Sequence, residues 1–170
     1  MTGLLSQARA PVGGSLPRRS LRVRDEGRIH PVLQLLVYPM LDDRTIDAPP
    51  TPTPFQMWNP AANRLGWTCY LGTHAGGPGV PDHAAPARRV DLSGLPPAWI
   101  GVGTLALFHD ENLTYAQRLQ TANVPTTLHI AEGAFHGFDF AAPRAAISLA
   151  FRTAQVDALR TAFAGGAVGH

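Results

Sequence analysis

Val32-Leu33-Gln34-Leu35-Leu36-Val37-Tyr38, closed by Pro39, is an almost unbroken apolar run of strand length. A half-exposed strand alternates apolar and polar residues, whereas a strand covered on both faces of a parallel sheet does not. The run therefore predicts a buried parallel strand. Downstream, the proline- and threonine-rich stretch 42–54 predicts a loop. Residues 57–71 place Trp58, Ala61, Leu65 and Cys69 near helical spacing, with Gly72 set to stop a helix. A Gly/Pro/His loop covers 73–86. Ala98-Trp99-Ile100-Gly101-Val102-Gly103 then repeats the buried-strand pattern, and Thr126-Thr127-Leu128-His129-Ile130-Ala131 supplies a third strand. Between these two, Leu113, Ala116 and Leu119 form a helical stripe from about Asp110 to Thr121, and Asp110 and Glu111 suit the positive end of its dipole. A last helix, from about Pro143 to Ala164, carries Ile147, Phe151, Ala154, Ala158 and Ala162 on one face. Strand, helix, strand, helix, strand, helix is the order of an α/β fold with three parallel strands and flanking helices. In such sheets the chemistry gathers in loops beyond the carboxyl ends of the strands. Those loops are 104–109 and 132–139.

Composition narrows the function classes. In 170 residues, 45% are hydrophobic and only 15% charged, with 17 Gly and 16 Pro. This suits a loop-rich enzyme scaffold and opposes a disordered tail. The net charge is +2, and much of the basic excess lies in Arg18, Arg19, Arg22, Arg24 and Arg28. No aromatic interleaving accompanies them, so a solvated face is expected and no nucleic-acid partner. The single Cys69 excludes an internal disulfide and a thiolate metal cluster. His74, His83 and His109 lack metal-ligand spacing, so no metal and no cofactor are expected. No run of about 18 apolar residues or signal-peptide pattern occurs, which predicts no membrane span and a cytoplasmic protein. Trp58, Trp67 and Trp99 are expected in packing roles, and Asp42-Asp43-Arg44 as a charge cluster that fixes its loop.

Four strings, in order, resemble one family. They are Gln34-Leu35-Leu36-Val37-Tyr38-Pro39-Met40-Leu41-Asp42-Asp43-Arg44; Ala85-Pro86-Ala87-Arg88 with Asp91-Leu92-Ser93-Gly94-Leu95-Pro96-Pro97-Ala98; Gly103-Thr104-Leu105-Ala106-Leu107-Phe108-His109-Asp110-Glu111; and Gly133-Ala134-Phe135-His136-Gly137-Phe138. Together they resemble the C-terminal half of the bacterial hormone-sensitive-lipase-like carboxylesterases of the α/β-hydrolase superfamily. The resemblance implies a partial α/β-hydrolase fold over 28–165, preceded by an irregular segment 1–27. It implies a small acyl ester as substrate, and it makes His136 the catalytic base. The family carries its acid at the fourth position of a Gly-x-x-Asp string, and here that position is Ala106. Asp110 is the one nearby carboxylate weighed as a substitute.

The family also needs a Gly-x-Ser-x-Gly nucleophile elbow and an oxyanion loop upstream of it. The chain contains no such string, and Ser15 in Gly13-Gly14-Ser15-Leu16-Pro17 has no elbow pattern. Codons compatible with 8–24, read in another frame, spell Gly-x-Ser-Ala-Gly-Gly-x-Leu-Ala-Ala-Ala. The segment up to about Arg24 is therefore read as a frameshifted stretch of an esterase gene, an idea that fails if the nucleotide sequence spells no elbow. Two functions follow: residual hydrolysis of short acyl esters, or a non-catalytic remnant that acts as an assembly partner. Strand 32–38 would be an unprotected edge, which favours self-association.

Overall fold

The computed structural model describes residues 6–8, 25–27, 30–47, 49 and 57–166. Ser15, the arginines at 18, 19, 22, 24 and 28, and most of the segment read as frameshifted lie outside them.

Four parallel strands lie side by side in chain order: β1 (Ser6–Ala8), β2 (Gln34–Val37), β3 (Ala98–Gly103) and β4 (Thr126–Ala131). The three strands expected from the apolar runs are present in parallel register, Leu36 opposite Ile100 and Ile100 opposite Leu128. β1 was not anticipated. It pairs Ser6, Gln7 and Ala8 with Gln34, Leu35 and Leu36, so the expected bare edge at β2 is covered over three residues. Every residue of β2 and β3 is buried, as a sheet sandwiched between helices requires.

Among the described residues lie helices α1 (Pro60–Leu71), α2 (His109–Thr121), α3 (Phe138–Ala141) and α4 (Ala146–Gly166), along with short 3-10 turns. The strand alternation sends Leu36, Ile100 and Ala98 to one face, where Tyr115, Ala116 and Leu119 of α2 pack with Leu92, Leu95 and Val124. Leu35, Val37 and Trp99 point to the other face, against Phe151 of α4. Gly101 makes that second face possible. A Cβ there would overlap the folded-back Trp99 ring and lie 2.7 Å from Phe151.

Some faces differ from the sequence expectation. α1 begins at Pro60, because Asn59 caps it: its side-chain oxygen accepts from the Ala62 N–H at 2.9 Å. α1 buries Asn63, Gly66 and Trp67, while Leu65 and Cys69 are exposed. Asn63 turns inward to donate to the Thr45 carbonyl at 2.9 Å. In α4 Phe151 is buried as expected, but Ile147 is exposed and Ser148 takes the inward position. Asp42 pairs with Arg44 at 2.7 Å, and Arg88 donates to the fully buried Asp43 at 2.5 and 2.9 Å.

Candidate active site

The two loops beyond β3 and β4 are built against each other through their main chains. Thr104 N–H donates to the Ala131 carbonyl at 3.1 Å, and Leu105 N–H to the Ala134 carbonyl at 3.0 Å. The Thr104 hydroxyl accepts from Gly133 N–H at 2.9 Å. Gly103 is required at this junction, since a Cβ would overlap the Ala134 carbonyl.

His136 sits in the second of these loops, just before α3, and is 6% exposed. Three aromatic rings from separate segments surround it. Tyr38, immediately beyond β2, meets it edge-on with ring centroids 4.5 Å apart; Phe108 lies at 5.4 Å and Trp58 at 5.9 Å. Its Nδ1 is buried and has no hydrogen-bond partner among the described residues. Burial in this apolar cage lowers its pKa to about 4, because the imidazolium loses its hydration without gaining a counter-charge.

Ala106 occupies a buried position in the facing loop and contributes only a methyl group to the apolar cluster around Tyr38, Ala134 and Phe138. Asp110, the carboxylate weighed as a substitute acid, lies at the surface. Its side chain is 98% exposed at the start of α2 and pairs with His109 Nδ1 at 2.8 Å. Trp58, assigned to packing, does pack against Phe108 and also forms one wall of the His136 cage.

Two polar groups were not assigned to the interior by sequence reasoning. Asp139, three residues after His136, is buried and accepts from the Tyr38 hydroxyl at 2.9 Å. Glu111, expected to flank the helix dipole, is buried instead. One carboxylate oxygen accepts from Leu41 N–H at 2.7 Å, and the other has no partner among the described residues. Desolvation raises its pKa to about 8; the Leu41 N–H works against this, and the Asp42 charge adds to it. A sequence signal for Glu111 exists: it shares a four-residue spacing with Tyr115 and Leu119, the buried stripe of α2.

An apolar groove of about 720 Å³ lies elsewhere. It runs between the amino ends of β3 and β4 and the second half of α4, lined by Pro97, Trp99, Thr126, His129, Ala158 and Ala162 among others. It is at the opposite end of the strands from His136, so it is not the site of the histidine's chemistry. Among the described residues no three His, Cys, Asp or Glu side chains are grouped to hold a metal, and no helix is long and apolar enough to cross a membrane.

A parallel sheet packed against helices, with a buried histidine in the loop after its last strand, is consistent with the alpha/beta hydrolase fold. The chain belongs to the alpha/beta hydrolase fold family, which matches residues 12–140, and within it to the hormone-sensitive-lipase-like esterases. It is 36% identical over 58 residues to the esterase LipI of Mycobacterium tuberculosis, a match covering 34% of this chain and 18% of that protein. Among solved structures it resembles a bacterial heroin esterase (TM-score 0.79, 35% identity, 86% of this chain and 47% of that one). It also resembles the esterase LipW of Mycobacterium marinum (TM-score 0.77, 35% identity, 87% of this chain and 46% of that one). The chain thus spans about half the length of these solved relatives.

Proposed function

We propose that this chain carries the histidine-bearing part of a serine carboxylesterase site for small acyl esters, with His136 in the base position, and that the chain by itself is inert or strongly impaired. The observation that carries this reading is the buried Nδ1 of His136, unpartnered among the described residues, in a loop whose main chain is bonded to the loop that carries Ala106. An ester hydrolase needs a base that takes a proton from its nucleophile and a carboxylate that holds the resulting imidazolium. A base whose pKa lies at about 4 is a weak proton acceptor near neutrality, where general bases work best with a pKa close to the ambient pH. In chymotrypsin-type triads, loss of the acid alone costs about four orders of magnitude in turnover. The absence of a Gly-x-Ser-x-Gly string from the sequence removes the attacking group as well.

The test is hydrolysis of p-nitrophenyl acetate and butyrate by the chain and by His136→Ala. No turnover above background is expected from either protein. Hydrolysis by the parent that disappears in His136→Ala would overturn the inert reading and leave an enzyme with an unconventional nucleophile.

A second reading, an assembly partner, is favoured by the sheet edge. β1 ends the sheet, and its outer side has no strand neighbour among the described residues. An open strand edge offers unpaired N–H and C=O groups to another chain. The expected result is a sedimentation coefficient that rises with protein concentration; a single monomeric species across that range would count against self-association through this edge.

A further inference from the structure

We propose that Tyr38 and Asp139 are positioning residues for His136: their hydrogen bond clamps the Tyr38 ring against the imidazole and orients it by packing, in a site whose acid position is a methyl group. This rests on the reading of His136 as the base.

The clamp starts in the backbone. Val37 ends β2, and Tyr38 N–H still donates to the Gly101 carbonyl at 2.6 Å. Tyr38 then adopts φ +36, a left-handed conformation that an aromatic residue rarely occupies. Backbone strain of this kind persists only where the surroundings fix it, and it concentrates at functional sites. Here the surroundings are visible. The ring stacks on Phe151 at 6.2 Å with planes 7° apart and meets His136 at 4.5 Å. Its hydroxyl donates to Asp139 Oδ1 at 2.9 Å across 101 residues of sequence.

Asp139 lies in the first turn of α3, and both it and Tyr38 are buried. The bond therefore ties the strand beneath His136 to the short helix that follows it. In a triad, the carboxylate hydrogen bond at Nδ1 fixes ring orientation and tautomer. With Nδ1 unpartnered among the described residues, ring orientation rests on the aromatic walls, and Tyr38 is the wall nearest to the imidazole among the ring contacts described. Asp139 accordingly acts through Tyr38, as a hydrogen-bond acceptor that keeps the wall in place.

The test is the titration of His136 in the full chain, followed by long-range proton–nitrogen correlation spectra of the imidazole. Tyr38→Phe keeps the ring and removes only the hydroxyl. It is expected to let water reach the cage, and to raise the His136 pKa by about one unit with broadened ring signals. Asp139→Asn keeps an oxygen acceptor for the Tyr38 hydroxyl and is expected to leave the titration where the parent has it. An unchanged His136 titration in folded Tyr38→Phe overturns the proposal. So does a shift in Asp139→Asn as large as that in Tyr38→Phe, because the carboxylate would then act on the imidazole by its charge. Failure of the catalytic reading shows in the ester assay and leaves these titrations as they are.

Discussion

Ala106→Asp is expected to raise the His136 pKa from about 4 by about two units or more, and to convert its Nδ1 into a hydrogen-bond donor. In the parent, burial penalises the charged form of the imidazole and holds its pKa low. A carboxylate within about 4–6 Å of a titrating group favours the charged form by one to three units. Two units correspond to about 3 kcal/mol of differential stabilisation. The facing loops place residue 106 opposite the histidine loop, with Leu105 N–H already bonded to the Ala134 carbonyl. The new side chain must enter space now filled by a buried methyl, so global stability is expected to fall by about 1–3 kcal/mol. Nitrogen chemical shifts of the imidazole as a function of pH provide the measurement. A pKa that stays near that of the parent in the folded variant would mean that residue 106 does not face Nδ1.

Glu111→Gln is expected to make the protein more stable at pH 8 than the parent, by an amount that vanishes in acid. The folded-state pKa of Glu111 is raised from 4.5 to about 8, so the folded protein holds this proton where the unfolded chain has released it. Its contribution is complete below pH 4.5 and is lost as the pH climbs through 8. The full span of that loss is on the order of 5 kcal/mol. Glutamine carries no charge at any pH, and its amide oxygen still accepts from Leu41 N–H. Its amide nitrogen replaces an oxygen that already lacks a partner among the described residues, so most of the cost of that buried polar atom is common to both proteins. The net gain at pH 8 is therefore about 3–4 kcal/mol.

His136 contributes the opposite slope. Its lowered pKa gives stability that is present above pH 6.5 and is lost as the pH falls through about 4. The two trends oppose each other in mild acid, and from neutrality to pH 8 the Glu111 trend remains. Denaturant titrations of both proteins at several pH values isolate Glu111, because the His136 contribution cancels in the difference. A parent–variant difference that does not change with pH would refute a buried, proton-holding Glu111.

β2 and β3 were legible because each is an apolar run of strand length, buried throughout; the third strand, mixed in polarity and only partly buried, was placed by its position between two helical patterns. β1 was not legible: Ser6-Gln7-Ala8 is too short and too polar to show a period. The buried face of α4 was legible only at Phe151. Ala146, Ile147, Leu149 and Ala150 make the helix apolar on several sides, so the residue pattern does not select which side turns inward. In α1 the inward Asn63 was hidden because its reason, the Thr45 carbonyl, lies 18 residues earlier.

The site divides in the same way. The two loops that carry His136 and Ala106 could be located from strings of neighbouring residues, since each loop is a local feature. The Tyr38–Asp139 bond joins residues far apart in sequence and depends on one left-handed residue. No local pattern announces it.

The loops beyond β3 and β4 are joined by main-chain atoms, at Thr104, Leu105, Ala131 and Ala134, and by the bare Gly103. These contacts are indifferent to the side chain at 106. The side chain at 106 can therefore change by a single substitution while the loop that displays it keeps its shape. A carboxylate introduced there likewise leaves the frame intact, and what it must displace is the space of one buried methyl.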